Sequence, residues 1–192
     1  IIGTQMGKKR QGYISERQYL TDYFQNTWWR HRMPNFGYSS YGRVLSQLKE
    51  DDKVLDVGCG VNPMKYFHHN TYGIDIADRG ADEVVAIENF KSEERFDVAI
   101  CWGSINFGYW DLIQKQVKNL VEHMKWDSVI YWRLNPGLAD HNNEECKSIN
   151  FFNWNTDLQF ELANKYLYSI TEIMPERNRI YVKWERGDKD ET

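Results

Sequence analysis

The chain has 192 residues and a formal net charge of −4, from 24 Lys/Arg against 28 Asp/Glu. That length suits one domain able to bury a sizeable core. No apolar run approaches the ~18 residues of a membrane span, and the acidic balance argues against non-specific nucleic-acid binding.

The charge is unevenly placed. The first fifty residues hold eight Lys/Arg and three Asp/Glu, and the remainder is acidic. A basic arm of this kind either caps a cleft or touches an anionic partner such as RNA. The first ten residues, Ile1 to Arg10, lack the long apolar core of a signal peptide. Cys59, Cys101 and Cys146 show no metal-ligand spacing, which predicts free thiols in a reducing cytoplasm and no metal site. Eight Trp and twelve Tyr exceed what a minimal core needs. That surplus suits either a pocket or interface, or core packing.

Ser15-Glu16-Arg17-Gln18 is a capping-box pattern. It predicts a helix with Tyr19, Leu20, Tyr23, Phe24 and Thr27 on one face. A short helix follows over 40–48, with Tyr41, Val44, Leu45 and Leu48 inward. Strands are expected at 53–58, 71–76, 83–87, 96–102, 127–134, 168–174 and 179–186. Between them, Ile113, Val117, Leu120, Val121 and Met124 recur at helical spacing over 111–125. Thr156-Asp157-Leu158-Gln159 reads as a second capping box, opening a helix with Leu158, Leu162, Ala163 and Tyr166 inward. The last two strands are joined by a turn at Pro175-Glu176-Arg177-Asn178. Alternating strands and helices ending in a hairpin predict a mostly parallel, doubly wound sheet with an antiparallel finish. We expect one domain over 1–192, with residues 1–50 as a helical cap and 51–186 as the core; only the polar ends, about 1–11 and 187–192, look frayed.

Three motifs converge on one end of such a sheet, because ligands of open α/β sheets bind at the carboxyl ends of the strands. Val54-Leu55-Asp56-Val57-Gly58-Cys59-Gly60-Val61-Asn62-Pro63 reads as a buried strand, a glycine turn and a helix start. Its glycines permit a sharp turn and close backbone approach to a ligand. Turn amides and a helix N-terminus can receive a carboxylate. Asp75, in Gly73-Ile74-Asp75-Ile76-Ala77-Asp78, follows Asp56 by nineteen residues at the end of the second strand. An acid there can accept both hydroxyls of a ribose. The third motif is Phe96-Asp97-Val98-Ala99-Ile100-Cys101-Trp102-Gly103-Ser104. A dinucleotide fingerprint requires Gly-x-Gly-x-x-Gly, and Pro63 stands in the third position, which disfavours pyrophosphate and an NAD oxidoreductase.

In order and spacing, these motifs resemble the class I S-adenosylmethionine (SAM) dependent methyltransferases over roughly 40–186. The resemblance implies a three-layer, Rossmann-like sandwich with a seven-stranded sheet, and SAM as cofactor. It implies cofactor contacts from Asp56, Gly58, Cys59 and Gly60 at the turn, and from Asp75 and Ile76 after the second strand. Ile87 and Glu88 occupy the family's adenine-contact segment, although its usual Asp is not evident among Val85-Ala86-Ile87. Cys101, Trp102 and Gly103 would flank the transfer cleft, while Asp97 reads as a structural charge at the far end of its strand.

Methyl transfer needs alignment more than acid–base chemistry, so a missing triad is no objection. Two histidines are candidate bases. His141 follows the Asn135-Pro136-Gly137 loop, and His31 lies in Trp28-Trp29-Arg30-His31-Arg32-Met33, which either closes over substrate or packs on the core. His68 and His69 read as packing or surface residues. The Asn/Asp-Pro-Pro-Tyr/Phe motif of DNA amino methylation is absent after the fourth strand, and Cys146 lacks the Pro-Cys context of cytosine methylation. A small-molecule acceptor is therefore favoured. An RNA or protein methyltransferase using the basic arm, and a non-catalytic SAM-fold scaffold, are the alternatives.

Overall fold

Val54–Val57 forms β1, buried at all four residues, which is why the run reads as continuously apolar apart from Asp56. The computed structural model describes residues 16–26, 40–134, 149–176 and 179–187. Helices α1 (Glu16–Asn26) and α2 (Ser40–Leu45) precede β1, and α3 (Met64–Phe67), β2 (Thr71–Asp75) and β3 (Glu83–Val84) follow it. A 3-10 turn over Ile87–Asn89 leads to β4 (Phe96–Trp102) and α4 (Trp110–Glu122). The chain continues through β5 (Met124–Leu134), α5 (Thr156–Lys165), β6 (Ser169–Glu176) and β7 (Arg179–Glu185).

The seven strands form one sheet in the order β3-β2-β1-β4-β5-β7-β6. β3 through β5 pair in parallel, and β7 joins antiparallel to both β5 and β6. The expected mostly parallel sheet with a terminal hairpin is thus present. Strand order reverses between β1 and β4, so the crevice at their carboxyl ends is the switch point.

Alternate residues of β4 enter apolar clusters on opposite faces. Ala99 and Cys101 pack with Ile113, Val117 and Leu120 of α4. Val98, Ile100 and Trp102 pack with Val44 of α2 and Met64 of α3. The tryptophan surplus is partly explained by the first of these clusters. Trp132, Trp154 and Trp184 are fully buried there, with ring centroids 4.8 Å apart for Trp132–Trp184 and 6.2 Å for Trp132–Trp154. Burying rings of this size contributes ~4–6 kcal/mol each by area. Two of the three polar edges are matched, Trp154 Nε1 donating to the Ile105 carbonyl (2.8 Å) and Trp184 Nε1 to Gln159 Oε1 (2.9 Å), while Trp132 Nε1 is buried without a hydrogen-bond partner.

Several boundaries differ from the sequence expectation. The helix expected over 111–125 stops at Glu122, and Met124, expected on its apolar face, instead opens β5 opposite Phe96. The third strand keeps only Glu83 and Val84, because Ile87 to Asn89 curl into the 3-10 turn. α5 is capped one residue earlier than the Thr156 box suggests. Asn155 Oδ1 accepts from the Leu158 amide at 2.9 Å, an N-cap worth ~1 kcal/mol, while Gln159 is buried against Trp184. β6 runs on through Pro175 and Glu176, which were expected in the turn; as the edge strand of the sheet it tolerates a proline. Ser15 and Thr27, expected at the ends of α1, lie outside the described residues.

Candidate functional site

The turn after β1 is built from backbone that ordinary residues adopt poorly. Gly58 and Gly60 have φ of +74° and +60°, and Asn62 also lies in the left-handed region at +55°. A Cβ on Gly58 would stand 2.5 Å from Ser104 Cβ, just beyond β4. The switch point is thus closed by direct contact between the β1 turn and the β4 loop.

Behind the turn, a polar brace ties it to β2. Asn62 Nδ2 donates to Asp82 Oδ2 (3.0 Å) and to the Gly80 carbonyl (3.3 Å), and the Gly73 amide donates to Asp82 Oδ2 (2.9 Å). Lys65 pairs with the same carboxylate. Burial pushes the Asp82 carboxyl up, but the Gly73 amide, Lys65 and Asn62 outweigh it and hold it below the usual carboxylate range. Gly73 is needed here for close approach, since a Cβ would meet the Asn62 amide at 2.5 Å.

Asp75 ends β2 and reaches back to the turn. Its Oδ2 accepts from the Gly60 amide at 2.8 Å and its Oδ1 from the Ala77 amide at 2.9 Å. Asp56, wholly buried below the turn, differs in its surroundings. Burial raises its pKa from 3.8 to about 7, the Tyr41 hydroxyl opposes the rise, and the charge of Asp75 adds to it.

A cleft of about 290 Å³ opens over these residues. Of the sequence-predicted cofactor residues, Gly58, Gly60, Asp75, Ile76, Ile87, Glu88, Trp102 and Gly103 line it. Asp56, Cys59 and Cys101 do not. Asp56 supports the turn from below, Cys59 is buried behind the turn, and Cys101 faces the α4 side of the sheet, since neighbouring strand residues point to opposite faces. Asp97 sits at the other end of β4, where it accepts from the Lys53 amide (2.8 Å) and Lys125 Nζ (2.6 Å). His68 is buried with Nε2 2.7 Å from the Asp52 carbonyl, away from the cleft lining. His31 and His141 lie outside the described residues.

Other lining residues were not singled out by the sequence as cofactor contacts. Arg17, Leu20 and Phe24 of α1 form one wall, and α1 is held to the loop after β2 by two 2.9 Å bonds between the Gln25 amide and the Asp78 backbone. Arg17 pairs with buried Glu88, which also accepts from Gln116 Nε2 at 3.0 Å. Arg79, four residues past Asp75, reaches the same cleft. Only its spacing from the β2 acid was available in the sequence to find it.

No protein-family model and no curated protein matches the sequence. Solved structures do match the fold. The magnesium protoporphyrin IX methyltransferase from Synechocystis PCC 6803, with bound SAM, superimposes with TM-score 0.67 at 12% identity, over 92% of this chain and 100% of that one. The 1,6-didemethyltoxoflavin-N1-methyltransferase from Burkholderia thailandensis gives 0.68 at 12%, over 98% and 94%. The N-methyltransferase NodS from Bradyrhizobium japonicum WM9 gives 0.67 at 10%, over 91% and 100%. At these identities the likeness is one of fold.

Proposed function

We propose that this chain is a SAM-dependent methyltransferase acting on a small-molecule acceptor. One observation carries the reading. At the switch point of a seven-stranded sheet with the same fold as SAM-bound methyltransferases, the Gly58–Gly60 turn and the Asp75 carboxylate line one cleft. The residues present suit the cofactor. Each Asp75 oxygen accepts one backbone amide and retains capacity for a ribose hydroxyl. Ile76 and Ile87 offer apolar walls for adenine, and Gly58 and Gly60 present backbone to the same cleft. A pyrophosphate suits the turn less well, because α3 is only four residues long and Pro63 has no amide hydrogen to give.

When bound, SAM supplies a methyl group on a sulfonium that is already an activated leaving group. The chain's part is to hold and orient the reactants and to exclude water. We read residues 1–50 as the helical cap and 51–186 as a three-layer core. α1 supports this, because Leu20 and Phe24 cover the cleft while Tyr23 and Leu20 pack with Ala77. Free, buried Cys59 and Cys101 fit a reducing cytoplasm.

A small acceptor is supported by the fold neighbours that act on magnesium protoporphyrin IX and 1,6-didemethyltoxoflavin. Two described arginines of the N-terminal segment support it too, since Arg17 and Arg43 pair with Glu88 and Glu176 within the protein. Calorimetry with SAM, S-adenosylhomocysteine and NAD tests the cofactor. We expect both sulfur nucleosides to bind and NAD not to. Binding of NAD alone, or of none of the three, overturns the reading.

A further inference from the structure

The glycine turn has few donors left for a carboxylate. The Gly58 and Cys59 amides donate to the Ile74 carbonyl at 2.8 and 3.1 Å, Gly60 to Asp75 Oδ2, and Asn62 to the Cys59 carbonyl at 3.0 Å. Pro63 has no N–H. Of the turn's amides only that of Val61 makes no such bond, so the carboxylate of a bound amino acid group needs a partner beyond the turn backbone.

Arg79 has the open donors. Its side chain is 3% exposed, and Nε and Nη1 are buried with no hydrogen-bond partner. Its Nη2 lies 3.9 Å from Asp75 Oδ2, an ionic contact too long for a hydrogen bond. Among the described residues, the other guanidinium lining the cleft, that of Arg17, is paired with Glu88. The backbone next to Arg79 is fixed against the turn, because Asn62 Nδ2 donates to the Gly80 carbonyl. A buried guanidinium with unfilled donors is costly unless a ligand completes it. Its planar fork matches a carboxylate in a way that a point charge does not.

We infer that Arg79 is the carboxylate receptor of the cofactor cleft, gripping the α-carboxylate of the methionyl end of SAM beside the Gly58–Gly60 turn. The inference rests on SAM being the cofactor. Asp75 then serves the ribose, and the neighbouring opposite charges of Asp75 and Arg79 divide the cofactor's polar groups between them.

Methylthioadenosine keeps the adenosine and sulfur of S-adenosylhomocysteine and lacks its amino acid end, so the two nucleosides separate the contacts. Calorimetry on the wild-type chain and on Arg79→Met is the test. We expect the substitution to weaken S-adenosylhomocysteine at least ~tenfold, the size of one lost charge-assisted contact, while methylthioadenosine changes less than ~threefold. Arg79→Lys should recover part of the loss. Equal weakening of both nucleosides, or no weakening of either, overturns the assignment. Should Arg79→Met fail to fold, Arg79→Gln carries the same comparison. A wild-type chain that binds neither nucleoside overturns the cofactor reading itself, and this assignment with it.

Discussion

The two sides of the cleft are held by different forces. On the β1–β2 side, backbone amides, carboxylates and left-handed glycines interlock: Gly60 with Asp75, Gly73 with Asp82, Asn62 with Gly80. On the β4–β5–β7 side, rings do the packing. Tyr41 and Trp102 centroids are 4.7 Å apart, Tyr181 meets Trp102 edge-on at 6.3 Å, and the Arg43 guanidinium sits 4.7 Å above the Tyr181 ring. Main-chain geometry defines the first side and side-chain volume the second. A site of the first kind leaves a signature in residue identity; a site of the second kind leaves only aromatic content.

That contrast can be broken most sharply at Gly58. Gly58→Ala forces a side chain into the left-handed region and against Ser104, so we expect about 2–3 kcal/mol of lost stability in urea unfolding. S-adenosylhomocysteine affinity should fall with it, and a variant as stable as wild type that binds normally would show the turn to be relaxed rather than required. Asp75→Ala should come next, weakening S-adenosylhomocysteine more than ~tenfold by calorimetry. Unchanged affinity would place the ribose elsewhere.

Asp56 sharpens the comparison through pH. Its folded pKa of about 7 stands above the ordinary value of 3.8, so the folded state binds more protons between those values. Its contribution therefore erodes stability as pH rises from about 4 to 7, by at most about 1.4 kcal/mol per pH unit. The groups acting on it are the Tyr41 hydroxyl and Asp75, and burial, with its charge added, pushes up the Cys59 and Cys101 thiols. Asp56→Asn should flatten that slope in chemical unfolding followed between pH 4 and 8. A slope identical to wild type would mean that the buried carboxyl titrates normally.

Trp102→Phe should have the smallest effect on the cofactor. It trims a ring on the packed side and should change S-adenosylhomocysteine affinity less than ~threefold, with a modest fall in thermal midpoint. A loss matching that of Asp75→Ala would erase the distinction between the two sides.

Strand and helix order, the hairpin finish, the glycine turn and Asp75 were legible in the sequence, because each rests on a local rule. Buried parallel strands need apolar runs, tight turns need glycine, and helix faces repeat at 3.6 residues. Boundaries drifted where tertiary contacts overrode the pattern. Met124 left the helix to pair with Phe96, and Asn155 displaced Thr156 as the cap. Which face Cys101 took, how Arg17 found Glu88 and where the buried fork of Arg79 came to rest were decided only by the folded chain. A charged side chain several bonds long has no preferred partner in its own neighbourhood of sequence. Only the assembled sheet brings the turn, the β2 acid and the covering helix within reach of one another.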